Sequence, residues 1–417
     1  MDTIAQATTE ALLAHGNGLL RLEPCWVARD FLPPGRRLGL PEDAYDLGER
    51  GAVCERWLGS TTRADNRVGP ADEGLSHIRT DSGGPVLLRD LLRAAPGALM
   101  GSAYAAAHPG GLGRLAKIFD YGDRLPYHIH PPQEYASLVG RKSKDEAYYF
   151  PPGADMGRHP ESFFGVHPWL AEGKRSDVLL PYLVDWDSDL ILRHARGELL
   201  VPDEGFHIPS GVLHAPGTAL TVELQEDSDV LSMFQALNGG RIISKELLFK
   251  DVRDEDRERH AERFPLNFVD WDLNGDPWFY ENRHLEPLPV ERTDQVERTD
   301  QVERTDQQGD GQEFWIFYNS TKFSGKKLVV PPGGRFTGVE KGVHTVLVWS
   351  GHGSYGGHPV AGGDPLLDEL FVSHDAAVAP LAVENTGAQD LIALKFFGPD
   401  INPDAPMKAP GGSSRGA

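Results

Sequence analysis

The sequence predicts a mainly β protein made of two small β units with a few peripheral helices. Two observations carry this. Glycine and proline are abundant, 47 and 32 in 417 residues, which favours many short strands joined by turns over long helices. Short β-rich runs recur between residues 115 and 237 at the spacing of a sandwich or small barrel. They begin again at Glu313 (FWIFY, KLVVPPG, HTVLVWSG, DELFVS, LIALKFF) and run to Phe397. The length also points to more than one domain.

In chain order, residues 1 to about 20 read as a short helix or arm. Leu20–Leu22 and Cys54–Leu58 read as short strands in a region broken by Pro33, Pro34, Gly35, Gly39 and Pro41. VLLRDLL, residues 86 to 92, has apolar positions at helical spacing and predicts a helix. Leu115–Tyr121, Tyr127–His130, Glu146–Phe150 and Ser162–Val166 read as strands. Ser176–Leu183 fits a helix or part of a lid. Further strands are expected at Glu198–Val201, Gly205–Ile208, Thr218–Leu224 and Ser228–Leu237. Ser244–Arg263 reads as an exposed helix with Ser244 as N-cap. VERTDQ then occurs three times in tandem from Val290 to Gln307. Its six-residue period matches neither a heptad nor a solenoid, so it reads as a duplication tolerated in a solvated linker. The expected domains are 1–245, a helical and low-complexity connector 246–311, a second barrel 312–402 and a disordered tail 403–417.

The net charge is −21. Such a surface repels nucleic acid and anionic membrane, which leaves a small molecule as the expected partner. It does not exclude a local basic pocket. Cys25 and Cys54 form no CxxC pattern, as expected of a reducing cytosol. The N-terminus has no basic region followed by an apolar core, and no apolar run approaches a membrane span. A cytoplasmic protein is expected.

The stretch from Gly122 to Glu146, GDRLPYHIHPPQEYASLVGRKSKDE, carries the chemistry. Alternate side chains of a strand share a face, so His128 and His130 aim two imidazoles at one point. Two fixed imidazoles are half of a typical transition-metal site. Gly122, His128, His130 and Glu134 follow the spacing of the first cupin motif. Pro209-Ser210-Gly211-Val212-Leu213-His214 resembles the second. This resemblance implies a bicupin, two jelly-roll barrels, the first holding one divalent metal at its mouth.

A narrower resemblance is to the type I mannose-6-phosphate isomerase family. It is carried by LAKIFDYGDRLPYHIHPPQEYA, KSKDEAYYF, IPSGVLHAPGTALTVELQEDSDV, CERWLGS and PVLLRDLL, in order through about residues 20 to 245. It implies a metal held by His128, His130, Glu146 and His214. The general cupin pattern points instead to Glu134, so both carboxylates are candidates, and the narrower motif favours Glu146. His128 stands where that family commonly has Gln. Three His and one Glu suit Fe, Mn or Ni as well as the expected Zn.

The activity implied is aldose–ketose isomerisation of a sugar phosphate through an enediol. Lys144, at the lysine of the family's K-x-E, is the candidate proton carrier, and a neighbouring divalent cation should lower its pKa. The family's catalytic Arg after its Ser-Asp pair is replaced by Met233, which cannot act as acid, base or anion clamp. Arg241 is the candidate substitute. His207, just before the second motif, is a further residue that could face the pocket. Two alternatives are a cupin oxygenase with Fe on three His and one Glu, and a sugar-binding protein without turnover. GHGSYGGHPV in the C-terminal half reads as a glycine-rich turn.

Overall fold

The computed structural model describes residues 2–80, 84–291 and 307–409. The VERTDQ repeats lie almost wholly outside these residues, as does the expected tail 403–417 from 410 onward, whereas its Ala405 packs into an apolar cluster. The protein is mainly β, and the named strands pair antiparallel throughout.

Two pairs of sheets form the body. In the first, a seven-stranded sheet runs in the order Cys25–Arg29, Ala52–Leu58, Arg114–Phe119, Thr221–Glu226, Glu146–Tyr149, Gly205–Ile208, His284–Leu285. Its companion has five strands, Ala195–Leu199, Glu161–Val166, His214–Ala215, His128–Ile129 and Ser232–Met233. Phe119, Tyr148, Phe164 and Phe206 share one buried cluster between them. The second pair has a seven-stranded sheet centred on Leu391–Phe397 and a five-stranded one centred on Leu381–Asn385.

Strand alternation decides which face does what. In Thr221–Glu226, Val222 and Leu224 lie in an apolar cluster with Trp315, Phe317, Leu347 and Phe396 of the second seven-stranded sheet. Ala116, Ile118, Ala147 and Tyr149 join the same cluster. The alternate residues Lys117, Glu146, Tyr148 and Glu223 therefore face the other way, into the first sheet pair. Burying each large apolar side chain at the back-to-back contact stabilises it by about 1.5–3 kcal/mol. Arg56 adds a bidentate pair to Asp368 at 2.6 and 2.7 Å.

The structure differs from expectation at several elements. Val86–Leu87 is a strand paired with His77–Ile78, and only Leu88–Ala94 is helical. The Ser244–Arg263 stretch is not one helix. Ser244 does cap, its Oγ accepting from the Glu246 N–H, but a single turn, Lys245–Leu248, follows. The helix proper is Asp254–His260, because Leu248, Phe249 and Val252 turn inward between them. The first strand, Leu19–Arg21, pairs with Glu369–Val372 of the second sheet pair, which no local signal announces. GHGSYGGHPV forms a hairpin, His352–Tyr355 with His358–Ala361. Gly356 and Gly357 turn it with φ of +58° and +83°, values that suit glycine. Among the described residues, no helix is long and apolar enough to cross a membrane.

Candidate metal centre

One rung of the five-stranded sheet sets the site. His214 pairs with Phe164 on one side and His128 on the other, and His128 in turn pairs with Met233. The His128 and His214 rings lie 4.1 Å apart, and His130 stands 5.1 Å from each. All three are buried, with one ligating nitrogen from each within 4.8 Å of the others.

Each ring is oriented by a backbone carbonyl. Nδ1 of His128 lies 2.7 Å from the Pro126 oxygen, Nδ1 of His130 2.8 Å from that of Val230, and Nδ1 of His214 2.9 Å from that of Val212. A carbonyl only accepts, so Nδ1 of each ring carries a proton and Nε2 is the nitrogen turned toward the other two rings. Burial, with the neighbouring imidazoles, holds His128 well below the usual histidine range. Burial and the Lys144 ammonium bring His130 down to about 3. The His128 and His130 rings are neutral at pH 7.

Glu146 enters from the facing sheet. Its oxygens lie 3.0 Å from His130 Nε2 and 2.9 Å from His214 Nε2, and Tyr148 donates to one of them. Burial works against ionisation, yet the Lys144 ammonium holds this carboxyl well below the usual range. Lys144 Nζ is 2.7 Å from Glu146, 3.2 Å from His130 Nε2 and 3.4 Å from Glu223. With these carboxylates facing it, its pKa is raised despite burial.

A metal cation fits this donor set. A bare nitrogen of His214 faces an ionised carboxylate oxygen at 2.9 Å with no hydrogen bond to that nitrogen. Two lone pairs so placed in a buried site call for a cation between them. The second-motif loop is held by Gly211, whose φ is +82° and whose carbonyl accepts from Asn274.

The other sequence candidates go elsewhere. Glu134 is exposed on the short helix Gln133–Ala136 and does not reach the histidines. Arg241 is exposed on the ribbon Leu237–Asn238 with Arg241–Ile242, and no contact joins it to the cluster. Its match to a later arginine of the resembled family therefore does not bring it to the cluster. Met233 is buried, in apolar company. His207 is buried, but beside Arg283 and edge-on to Phe323.

The sequence did not reveal a buried chain of charges behind the site. Glu223 lies 3.4 Å from Lys144 and 3.2 Å from Lys117, and Lys117 lies 3.9 Å from Glu55. Arg29 binds both Glu55 and Asp229. Burial raises Glu223 to about 7, against the pull of Lys117 and Lys144. Charged residues alternating with apolar ones in TVELQE and LAKIF were the available signal.

No family model matches the chain, and no curated protein sequence matches it. Solved structures do match. The mannose 6-phosphate isomerase from Bacillus subtilis has 16% identity and a TM-score of 0.57 over 91% of this chain and 99% of its own. A mutant phosphomannose isomerase from Salmonella typhimurium has 12% identity and a TM-score of 0.59 over 92% and 100%. A zinc-bound mannose 6-phosphate isomerase has 12% identity and a TM-score of 0.57 over 92% and 100%. The likeness thus extends through the architecture, and the chain shares the fold of these solved mannose 6-phosphate isomerases.

Proposed function

We propose that this protein is a metal-dependent aldose–ketose isomerase. One observation carries the reading: three buried imidazole nitrogens and Glu146 converge, with the Lys144 ammonium 2.7 Å from that carboxylate. His128, His130, His214 and Glu146 would hold one divalent ion, with zinc the first choice because a solved neighbour is a zinc-bound form. When bound, the ion supplies Lewis-acid polarisation of a carbonyl and a fixed position for the hydroxyl beside it.

The chain's own residues do the rest. Lys144, kept protonated by Glu146 and Glu223, donates a proton to a developing enediolate oxygen. Glu223, pushed up to about 7 by burial, is poised to take a proton near neutral pH. Tyr148 orients Glu146 through its hydroxyl. Burial of the cluster excludes water from the reactive intermediate.

In this reading the chain is a bicupin of a 1–245 metal domain, a 246–311 connector and a 312–402 barrel, acting in the cytoplasm. The neighbours' printed substrate, mannose 6-phosphate, is the first to assay, watching for the ketose phosphate. Turnover that chelation abolishes supports the reading. The three-histidine donor set also suits iron and an oxygenase. Activity lost without oxygen while the metal stays bound would favour that second reading.

A further inference from the structure

Resting on the metal-centre reading, we infer that Asp251 and Arg29 are positioning residues for His130. Together they fix the carbonyl that sets its ring. The three imidazoles are oriented in two different ways. His128 and His214 each give Nδ1 to a carbonyl two residues earlier, so the local chain sets the ring. His130 uses the Val230 carbonyl instead, 2.8 Å away and 100 residues along the chain. Val230 lies outside the strand Ser232–Met233, so the sheet does not hold it.

One peptide unit joins Asp251 to His130. The Val230 carbonyl and the Leu231 N–H are its two ends, and a planar trans unit points them in opposite directions. The Leu231 N–H donates to Asp251 Oδ2 at 2.8 Å. The carbonyl at the other end accepts from His130 Nδ1. A carboxylate that holds the N–H thereby aims the carbonyl, and through it the ring that presents Nε2 to the metal.

The residue before Val230 is held as firmly. The Asp229 carboxylate accepts from Nη1 and Nη2 of Arg29, both at 3.3 Å, and from the Asp65 N–H at 3.0 Å. Its carbonyl accepts from Lys250 Nζ at 3.0 Å. Arg29 is anchored in turn by Nε and Nη2 on Glu55, at 2.9 and 3.2 Å. Glu55 belongs to the seven-stranded sheet that also carries Glu146. Arg29 therefore ties the segment that aims His130 to the sheet that supplies the carboxylate ligand. Arg29, Asp229 and Asp251 are all buried.

The test loads the full chain with Co(II), whose visible bands report ligand geometry, and measures affinity by competition with a chelator. Asp251→Ala and Arg29→Lys should each weaken Co(II) binding by about 10–100-fold and shift the bands, with circular dichroism unchanged. A lysine keeps the charge but not the planar fork that spans two carboxylates. Asp251→Asn, whose amide oxygen still accepts from the Leu231 N–H, should stay within about threefold of wild type. Arg56→Lys loosens another buried fork, on Asp368 and Glu369, and should leave bands and affinity unchanged. Wild-type affinity and bands in Asp251→Ala or in Arg29→Lys would remove the role of that residue and leave the metal centre intact. A loss as large in Asp251→Asn or Arg56→Lys would overturn the inference, tracing the effect to general loosening. Should Arg29→Lys not fold, the two Asp251 variants decide. A wild-type chain that binds no Co(II) would end the metal reading, and the inference with it.

Discussion

His128 and His214 face each other across one rung of a five-stranded sheet, their ring centres 4.1 Å apart and each Nδ1 fixed by a carbonyl two residues earlier. The backbone that pairs the strands thus also selects the tautomer that leaves Nε2 free. His130→Ala and His214→Ala are each expected to reduce metal content from one ion per chain to below about a tenth, a loss of the size known for ligand-shell changes. Metal analysis after dialysis, with circular dichroism to confirm folding, checks this. Stoichiometric metal in both variants would remove the site.

Glu146 and Glu134 separate on burial. Glu146 is fully buried against two imidazoles, whereas Glu134 is exposed. Glu146→Gln should weaken metal affinity by about tenfold or more, and Glu134→Gln should leave it near wild type. Competition with a chromogenic chelator measures both. The reverse ranking would return the general cupin pattern to favour.

Lys144→Met removes a proton donor but no metal ligand. Its kcat should fall by roughly 10²–10⁴-fold while metal content stays at one per chain. An unchanged kcat would assign the lysine a purely structural role.

Met233→Arg is expected to fail as a repair. The position is buried in apolar company, so an unpaired guanidinium there should cost roughly 3–5 kcal/mol. Urea denaturation of the metal-free protein measures it. A variant as stable as wild type would mean that a counter-charge lies within reach.

His344 gives a pH test away from the metal. Burial and Lys395, against the pull of Glu340, push it down to about 4. The ring is neutral in the fold, while the unfolded chain takes up a proton below about pH 6.5. Its contribution is therefore present above pH 6.5 and is lost as pH falls toward 4, at up to about 1.4 kcal/mol per unit. The stability gap between wild type and His344→Gln should narrow over that window. A gap that stays constant from pH 7 to 4.5 would contradict the neutral buried ring.

Much of this was legible because the chemistry is local. His-x-His on a strand and Pro-x-Gly-x-x-His on a turn are spacings, and the structure brings all three imidazoles together. Lys144 and Glu146 sit two apart, again a local pattern. Arg29, Lys117, Glu223 and Asp229 escaped notice because each is defined by its partners. Those partners come from segments up to 200 residues apart, as with Arg29 and Asp229. Arg241 was chosen by its match to a later arginine of the resembled family, and a motif match does not show that the ribbon carrying it faces solvent. Val86 and Leu87 left the expected helix because they pair with His77 and Ile78, a tertiary contact that overrides local periodicity.

The most direct test of the central claim is turnover of an aldose to its ketose by purified protein of known metal content, with and without chelator. Interconversion that chelation abolishes and added divalent metal restores is the predicted result. One bound metal per chain with no isomerisation across the neutral aldoses and their phosphate esters would contradict it.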